Sequence, residues 1–244
     1  SDCNAPSDKR DATKPVATGC GTTAKFIYPD NVQQLVRFSE RTPGKLTAAV
    51  TPFEDERGNH NVESKILLYL IPLMPYGETY LERPDAARVF HSVTEFHFNA
   101  SEDLAKAAAT SLRRSGLFKE AYFSYGGDLD KADVIFRGAV KSTTYKGKVF
   151  SYGLSVWGPA LWVIGLPSGV STNYLSFTLA AYRRAERTPF WEYAFDQTRR
   201  QVHGLYYYLG HDVRGYASLM ETAMNAALTD FVQQLPSLEA SPTP

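Results

Sequence analysis

Leu175-Ser176-Phe177-Thr178-Leu179-Ala180-Ala181, followed a few residues later by Phe190-Trp191-Glu192-Tyr193-Ala194-Phe195, decides the fold. Leu175, Phe177, Leu179 and Ala181 alternate with Ser176, Thr178 and Ala180, the period-two pattern of a strand with one buried face. Arg184-Ala185-Glu186-Arg187 supplies the turn into the second strand. Upstream, Val134, Phe136, Gly138 and Val140 alternate with Ile135, Arg137, Ala139 and Lys141 in the same way. Three successive segments of this kind predict an antiparallel meander.

The first connection of that meander has an unusual composition. From Val149 to Tyr182 the chain has no Asp, Glu, Lys, Arg or His, and two of the 3 tryptophans, Trp157 and Trp162, lie in this window. Gly153, Gly158, Pro159, Gly165, Pro167 and Gly169 break the run well short of the ~20 apolar residues of a membrane span. Two readings remain. One is a buried connection or ordinary core. The other is a loop or short helix that projects Trp157, Leu161, Trp162 and Ile164 into a membrane interface or a partner, where tryptophan's apolar ring and polar N–H both find company.

Helix signals frame the strands. Asn99 is a cap, with Glu102 three residues on to close a capping box. Leu104, Ala108 and Leu112 recur at four-residue spacing, Arg113 and Arg114 suit the carboxyl end, and Gly116 is the stop. A second helix is expected from Tyr216 to Leu235, with Met220, Met224, Ala227 and Phe231 on one stripe and Pro236 as terminator. Leu46 to Phe53, Lys65 to Ile71, Glu95 to Phe98 and Leu117 to Tyr125 read as strands, the second as one buried on both faces. The expected architecture is therefore α+β: a mixed or antiparallel sheet with two main helices on one face. Its limits are a flexible tail at 1–25, a single domain at 26–236 with an apolar insertion loop at 149–173, and a flexible tail at 237–244.

The order of elements resembles the superfamily of the TolB amino-terminal domain and the curli-secretion lipoproteins. The resemblance rests on Ala48-Ala49-Val50-Thr51-Pro52-Phe53-Glu54-Asp55, on the Ala-rich helix from Leu104 ending in Ser115-Gly116-Leu117-Phe118, and on Ala132-Asp133-Val134-Ile135-Phe136-Arg137-Gly138. It covers about 46 to 235. It implies a non-enzymatic, lipoprotein-like accessory or assembly factor of the bacterial cell envelope. Such a factor would be periplasmic, associated with the outer membrane, and would serve transport or secretion through protein–protein interaction. The alternative expectation is a binding module for a lipid or other apolar small molecule.

Composition narrows the field. The 26 basic and 26 acidic side chains cancel, so the basic stripe of a nucleic-acid binder is missing, and nucleic acid is not an expected partner. The pairs Arg113-Arg114, Arg183-Arg184 and Arg199-Arg200 read as solvated surface. His60, His91, His97, His203 and His211 have no metal-ligand spacing, no Gly-x-Ser-x-Gly elbow exists, and no phosphate loop is present. No cofactor, metal or catalytic residue is expected. Glu54, Asp55 and Glu56 read as a solvated acidic loop. Leu205-Tyr206-Tyr207-Tyr208-Leu209-Gly210 is a second aromatic cluster. It either packs on the sheet or uses Tyr206, Tyr207 and Tyr208 as an oligomer contact.

The 2 cysteines, Cys3 and Cys20, both fall in the amino-terminal tail and are candidates for a disulfide or for lipidation. Ala17-Thr18-Gly19-Cys20 has the small residues of a lipoprotein signal, but Ser7-Asp8-Lys9-Arg10-Asp11 lacks the apolar run such a signal needs. A chain opening on Ser1 is expected of a processed or truncated product. The expected partners are an envelope protein complex or a second copy of the chain, and a membrane surface.

Overall fold

A computed structural model describes residues 23–25, 28, 32–38, 45–58, 62–87, 95–208 and 215–239. The strands are β1 (Thr23–Lys25), β2 (Thr47–Val50), β3 (Glu54–Asp55), β4 (Val62–Lys65), β5 (Tyr76–Leu81), β6 (Ala86–Ala87), β7 (Glu95–His97), β8 (Glu120–Phe123), β9 (Val134–Ser142), β10 (Tyr145–Phe150), β11 (Pro167–Arg183) and β12 (Trp191–Gly204). The helices are α1 (Ala100–Ser115), α2 (Gly158–Val163) and α3 (Gly215–Glu239). The fold is α+β, with a nine-stranded mixed sheet and a small sheet of order β1-β7-β6.

The predicted meander is the spine of the large sheet. β9 and β10 run in the same direction along one edge of β11, from Val134 opposite Arg183 to Val149 opposite Gly169. They act as one long strand bent at Thr143 and Thr144. β12 lines the other edge of β11, from Ala181↔Trp191 to Pro167↔Gly204. The sheet then forks: β10 pairs with β5 and β5 with β4, while β9 pairs in parallel with β2 and β2 with β8.

Helices α1 and α3 lie side by side on one face. Leu104, Ala105, Ala108 and Leu112 of α1 are buried with Met220, Met224, Ala227 and Phe231 of α3 against Phe136, Phe177 and Trp191 of the sheet. The alanines let α1 approach closely, and the four rings of Phe118, Phe136, Trp191 and Phe231 fill the layer between α3 and the sheet. The end of α1 follows its sequence: Gly116 takes a left-handed φ of 74° that a side chain would resist. At the start, Asn99 faces the Glu102 N–H. The box is closed by Asp103, not Glu102: its carboxylate accepts from the Asn99 N–H at 2.9 Å, while Glu102 pairs with Lys106.

The structure corrects three expectations. The run 65–71 is not a strand buried on both faces: β4 ends at Lys65, and Ile66–Leu70 winds into a 3-10 turn with no buried residue. Its leucines lack the β-branching that favours strands, and Pro72 and Pro75 confine it to the β4–β5 connection. The apolar insertion is shorter than 149–173, because β10 takes 149–150 and β11 takes 167–173, leaving 151–166. Finally, α3 continues through Pro236 to Glu239; the proline sits in the last turn, where little helix remains to be disrupted.

Candidate functional site: an apolar end built from three connections

Three connections meet at one end of the large sheet. Residues 66–75 join β4 to β5, residues 151–166 join β10 to β11, and residues 205–208 follow β12. Strand pairing brings them together: Tyr76 opens β5 opposite Phe150, the last residue of β10, and Pro167 opens β11 opposite Gly204. None of the three contains a charged residue.

Direct bonds fasten the first two. Leu73 N–H donates to Gly153 O at 2.9 Å, Ser151 N–H donates to Pro75 O at 2.9 Å, and the Ser155 hydroxyl donates to Leu70 O. Gly77 lets the start of the first connection fold back against β5, because a Cβ there would lie 2.1 Å from Ile66 O. The third connection is bonded to the second: Tyr206 Oη donates to Val163 O at 2.7 Å. Tyr152 Oη donates to Pro167 O at 2.7 Å, and burial raises its pKa above the ordinary value.

This end is greasy and open to solvent. Among the described residues, sixteen large apolar or tyrosine side chains are exposed, and fourteen of them lie at 67–73, 154–164 and 202–208. Leu73 is 89% exposed, Trp157 75%, Ile164 72% and Leu67 70%. Single exposed apolar residues are ordinary, but a contiguous cluster marks a contact surface. The backbone adds a second signal. The four non-glycine residues with left-handed φ among those described are Leu73, Tyr152, Ser155 and Tyr208, all at this end. Each such conformation costs of order 1–3 kcal/mol and concentrates at functional sites.

The candidate residues of the tryptophan loop divide by role. Trp157 and Ile164 point outward. Leu161 and Trp162 are half-buried, and the Trp162 Nε1–H donates to Phe150 O at 3.0 Å. Trp162 is thus a strut across the base of the hairpin, within the six-residue helix α2. Tyr206, Tyr207 and Tyr208 are all exposed. Cys3 and Cys20 lie outside the described residues, as do His60, His91 and His211.

Several residues of this end are not evident in the sequence. Leu67, Leu70, Ile71 and Leu73 are disguised by a run that reads as a buried strand; its leucine-rich, valine-free composition was the available cue. His203 of β12 is fully buried between β11 and the tyrosine turn: Ser171 Oγ lies 2.7 Å from Nε2, and Tyr208 O lies 2.8 Å from Nδ1. The carbonyl can only accept, so Nδ1 carries the proton and Nε2 accepts from Ser171. A serine beside a histidine invites a catalytic reading, but neither side chain reaches solvent. The pair instead pins the tyrosine turn to β11.

Other candidate chemistry has structural partners. Asp55 of the acidic loop is held by Arg57, whose hydrogen bond lowers the carboxyl's pKa. No three His, Cys, Asp or Glu side chains converge to hold a metal among the described residues. A cavity of about 10 Å³ lies between α1, α3 and the sheet, lined by Ala108, Leu112, Phe136, Trp191, Met224 and Phe231. It has no room for an acyl chain. Among the described residues, no helix is long and apolar enough to cross a membrane.

No known protein family matches this sequence, and no curated protein matches it. The fold is similar to the crystal structure of protein XCC0632 from Xanthomonas campestris, of the family DUF330, with a TM-score of 0.41 and 11% identity over 84% of this chain and 92% of that one. A TM-score of 0.41 carries neither function nor site residues across.

Proposed function

We propose that this protein is a non-catalytic docking module whose apolar end engages a membrane or a partner assembly. The observation that carries this reading is the gathering of thirteen of the sixteen exposed large apolar and tyrosine side chains of the described residues onto three bonded, charge-free connections, with Val202 of β12 beside them. The sheet with α1 and α3 serves as the rigid platform, and the connections are the contact. The resemblance to the TolB and curli-secretion lipoprotein superfamily supports an accessory or assembly role in transport or secretion across a bacterial envelope. It also supports a periplasmic location at the outer membrane. A lipid, on this reading, meets the outside of the apolar end and does not enter the interior.

Hydrogen exchange read by mass spectrometry, with and without phosphocholine-headed micelles as an apolar surface, tests the reading. Slowed exchange confined to 66–75, 151–166 and 205–208 is expected. Unchanged exchange in all three segments, with the protein folded, would refute it.

A further inference from the structure

We infer that the apolar end docks on a lipid bilayer bearing anionic headgroups, oriented with the sheet's strands pointing into it. This rests on the docking role proposed above and names the surface. The argument comes from the charges directly behind the three connections.

Strand register places those charges in two ranks on the sheet face opposite α1 and α3. Lys65, Glu78, Lys148, Val170 and Val202 are successive cross-strand neighbours, two residues behind the last pair, Tyr76 and Phe150. Glu63, Tyr80, Lys146, Thr172 and Arg200 form the next rank on the same face. The intervening positions Gly77, Gly147 and Ser171 are buried, whereas every member of the two ranks except Val170 is at least partly exposed, which gives both ranks their outward direction. The ranks hold four cations (Lys65, Lys146, Lys148, Arg200) and two carboxylates (Glu63, Glu78), a local excess of two positive charges on a chain of zero net charge.

The spacing suits a membrane interface. Two residues of strand span about 7 Å, so the ranks sit roughly 7 and 14 Å behind the apolar connections. An interfacial element buries its apolar side about 5–10 Å into the headgroup and acyl boundary, which brings the first rank to the phosphates. Long lysine stems carry the second rank's charge toward the same level. The lysines are held on this face over tyrosine rings: Lys148 Nζ lies 4.1 Å from the Tyr76 ring centroid and Lys146 Nζ 5.3 Å from that of Tyr80. Aliphatic tips in front, tyrosines and Trp157 around them and cations behind reproduce the order of a bilayer surface from acyl chain to phosphate.

Vesicle flotation tests the inference with three proteins: wild type, Lys146→Glu/Lys148→Glu and Lys146→Gln/Lys148→Gln. The wild type is expected to bind vesicles of phosphatidylcholine with about 30 mol% phosphatidylglycerol at least tenfold more tightly than pure phosphatidylcholine, given the gain per cation at an anionic surface. The preference should fall as salt rises above about 0.1 M, a readout that needs no variant. The Gln pair should lose roughly thirty-fold on anionic vesicles and the Glu pair more, both leaving binding to neutral vesicles unchanged. Equal binding to both vesicle types without salt dependence overturns the inference, while micelle protection of the three segments would leave the docking role standing. Self-association without binding to either vesicle also overturns it, and makes a second copy the occupant. No vesicle binding together with no micelle protection defeats both.

Discussion

Arg57→Met should destabilise the fold substantially, because this one guanidinium ties two parts of the chain, at Asp55 and at Asp85, to the bend that aims the apolar end. Arg57 is buried. Its Nε and Nη2 donate to Asp55 at 2.8 Å each, and its Nη1 donates to Asp85 at 2.6 Å and to Thr143 Oγ1 at 2.9 Å. Thr143 is the bend between β9 and β10, and its carbonyl accepts from Tyr216 Oη of α3 at 2.6 Å. Removing one member of a fully buried ion pair costs about 3–5 kcal/mol. The two carboxylates here are 32% and 39% exposed, so water replaces part of what they lose. Thr143 is fully buried and regains nothing, at a cost of about 1–3 kcal/mol for a stranded polar group. The net expectation is a loss of roughly 2–4 kcal/mol, equivalent to about 4–16 °C in Tm for a chain of this size.

Urea unfolding followed by circular dichroism, at neutral and acid pH, measures this. Arg57 lowers the folded pKa of Asp55. That stabilisation is fully present above the unfolded carboxyl value of about 3.9 and is lost as pH falls through the folded value. The gap between wild type and variant should therefore narrow below about pH 4. A loss under about 1 kcal/mol at pH 7, or a gap that widens in acid, would refute the reasoning.

Two further outcomes are expected. Gly138→Val should cost roughly 1–3 kcal/mol by overpacking, because a Cβ there would lie 2.6 Å from the Phe53 ring, and denaturant melts would register it. Trp157→Ser/Ile164→Ser should leave stability within about 0.5 kcal/mol yet weaken vesicle or micelle binding by roughly 100-fold or more, since two large side chains worth about 1.5–3 kcal/mol each would no longer leave water; equal binding by variant and wild type counts against the apolar end.

Much of the scaffold was legible locally. The alternation through 134–141, 175–181 and 190–195 is a period that only a half-buried strand satisfies, and the meander is there. Asn99 and Gly116 marked α1 because a helix end must find partners for its free N–H and C=O groups. The apolar segment at 66–71 was misread because periodicity cannot separate a buried strand from an exposed turn when every residue is apolar. The capping partner was missed because Glu102 and Asp103 both sit within reach of Asn99, and side-chain geometry chose between them.

The candidate site was legible only in pieces. Composition alone shows that 151–166 carries no charge, that two tryptophans lie there and that a tyrosine run comes after Gly204. It could not determine that these pieces are neighbours, that 66–73 joins them, or which indole faces out. Those facts depend on strand register across β5, β10, β11 and β12, and register is a long-range property settled by packing of the whole sheet against α1 and α3. Trp157 and Trp162 are five residues apart in the same loop, and the tertiary structure sends one to solvent and bonds the other to Phe150.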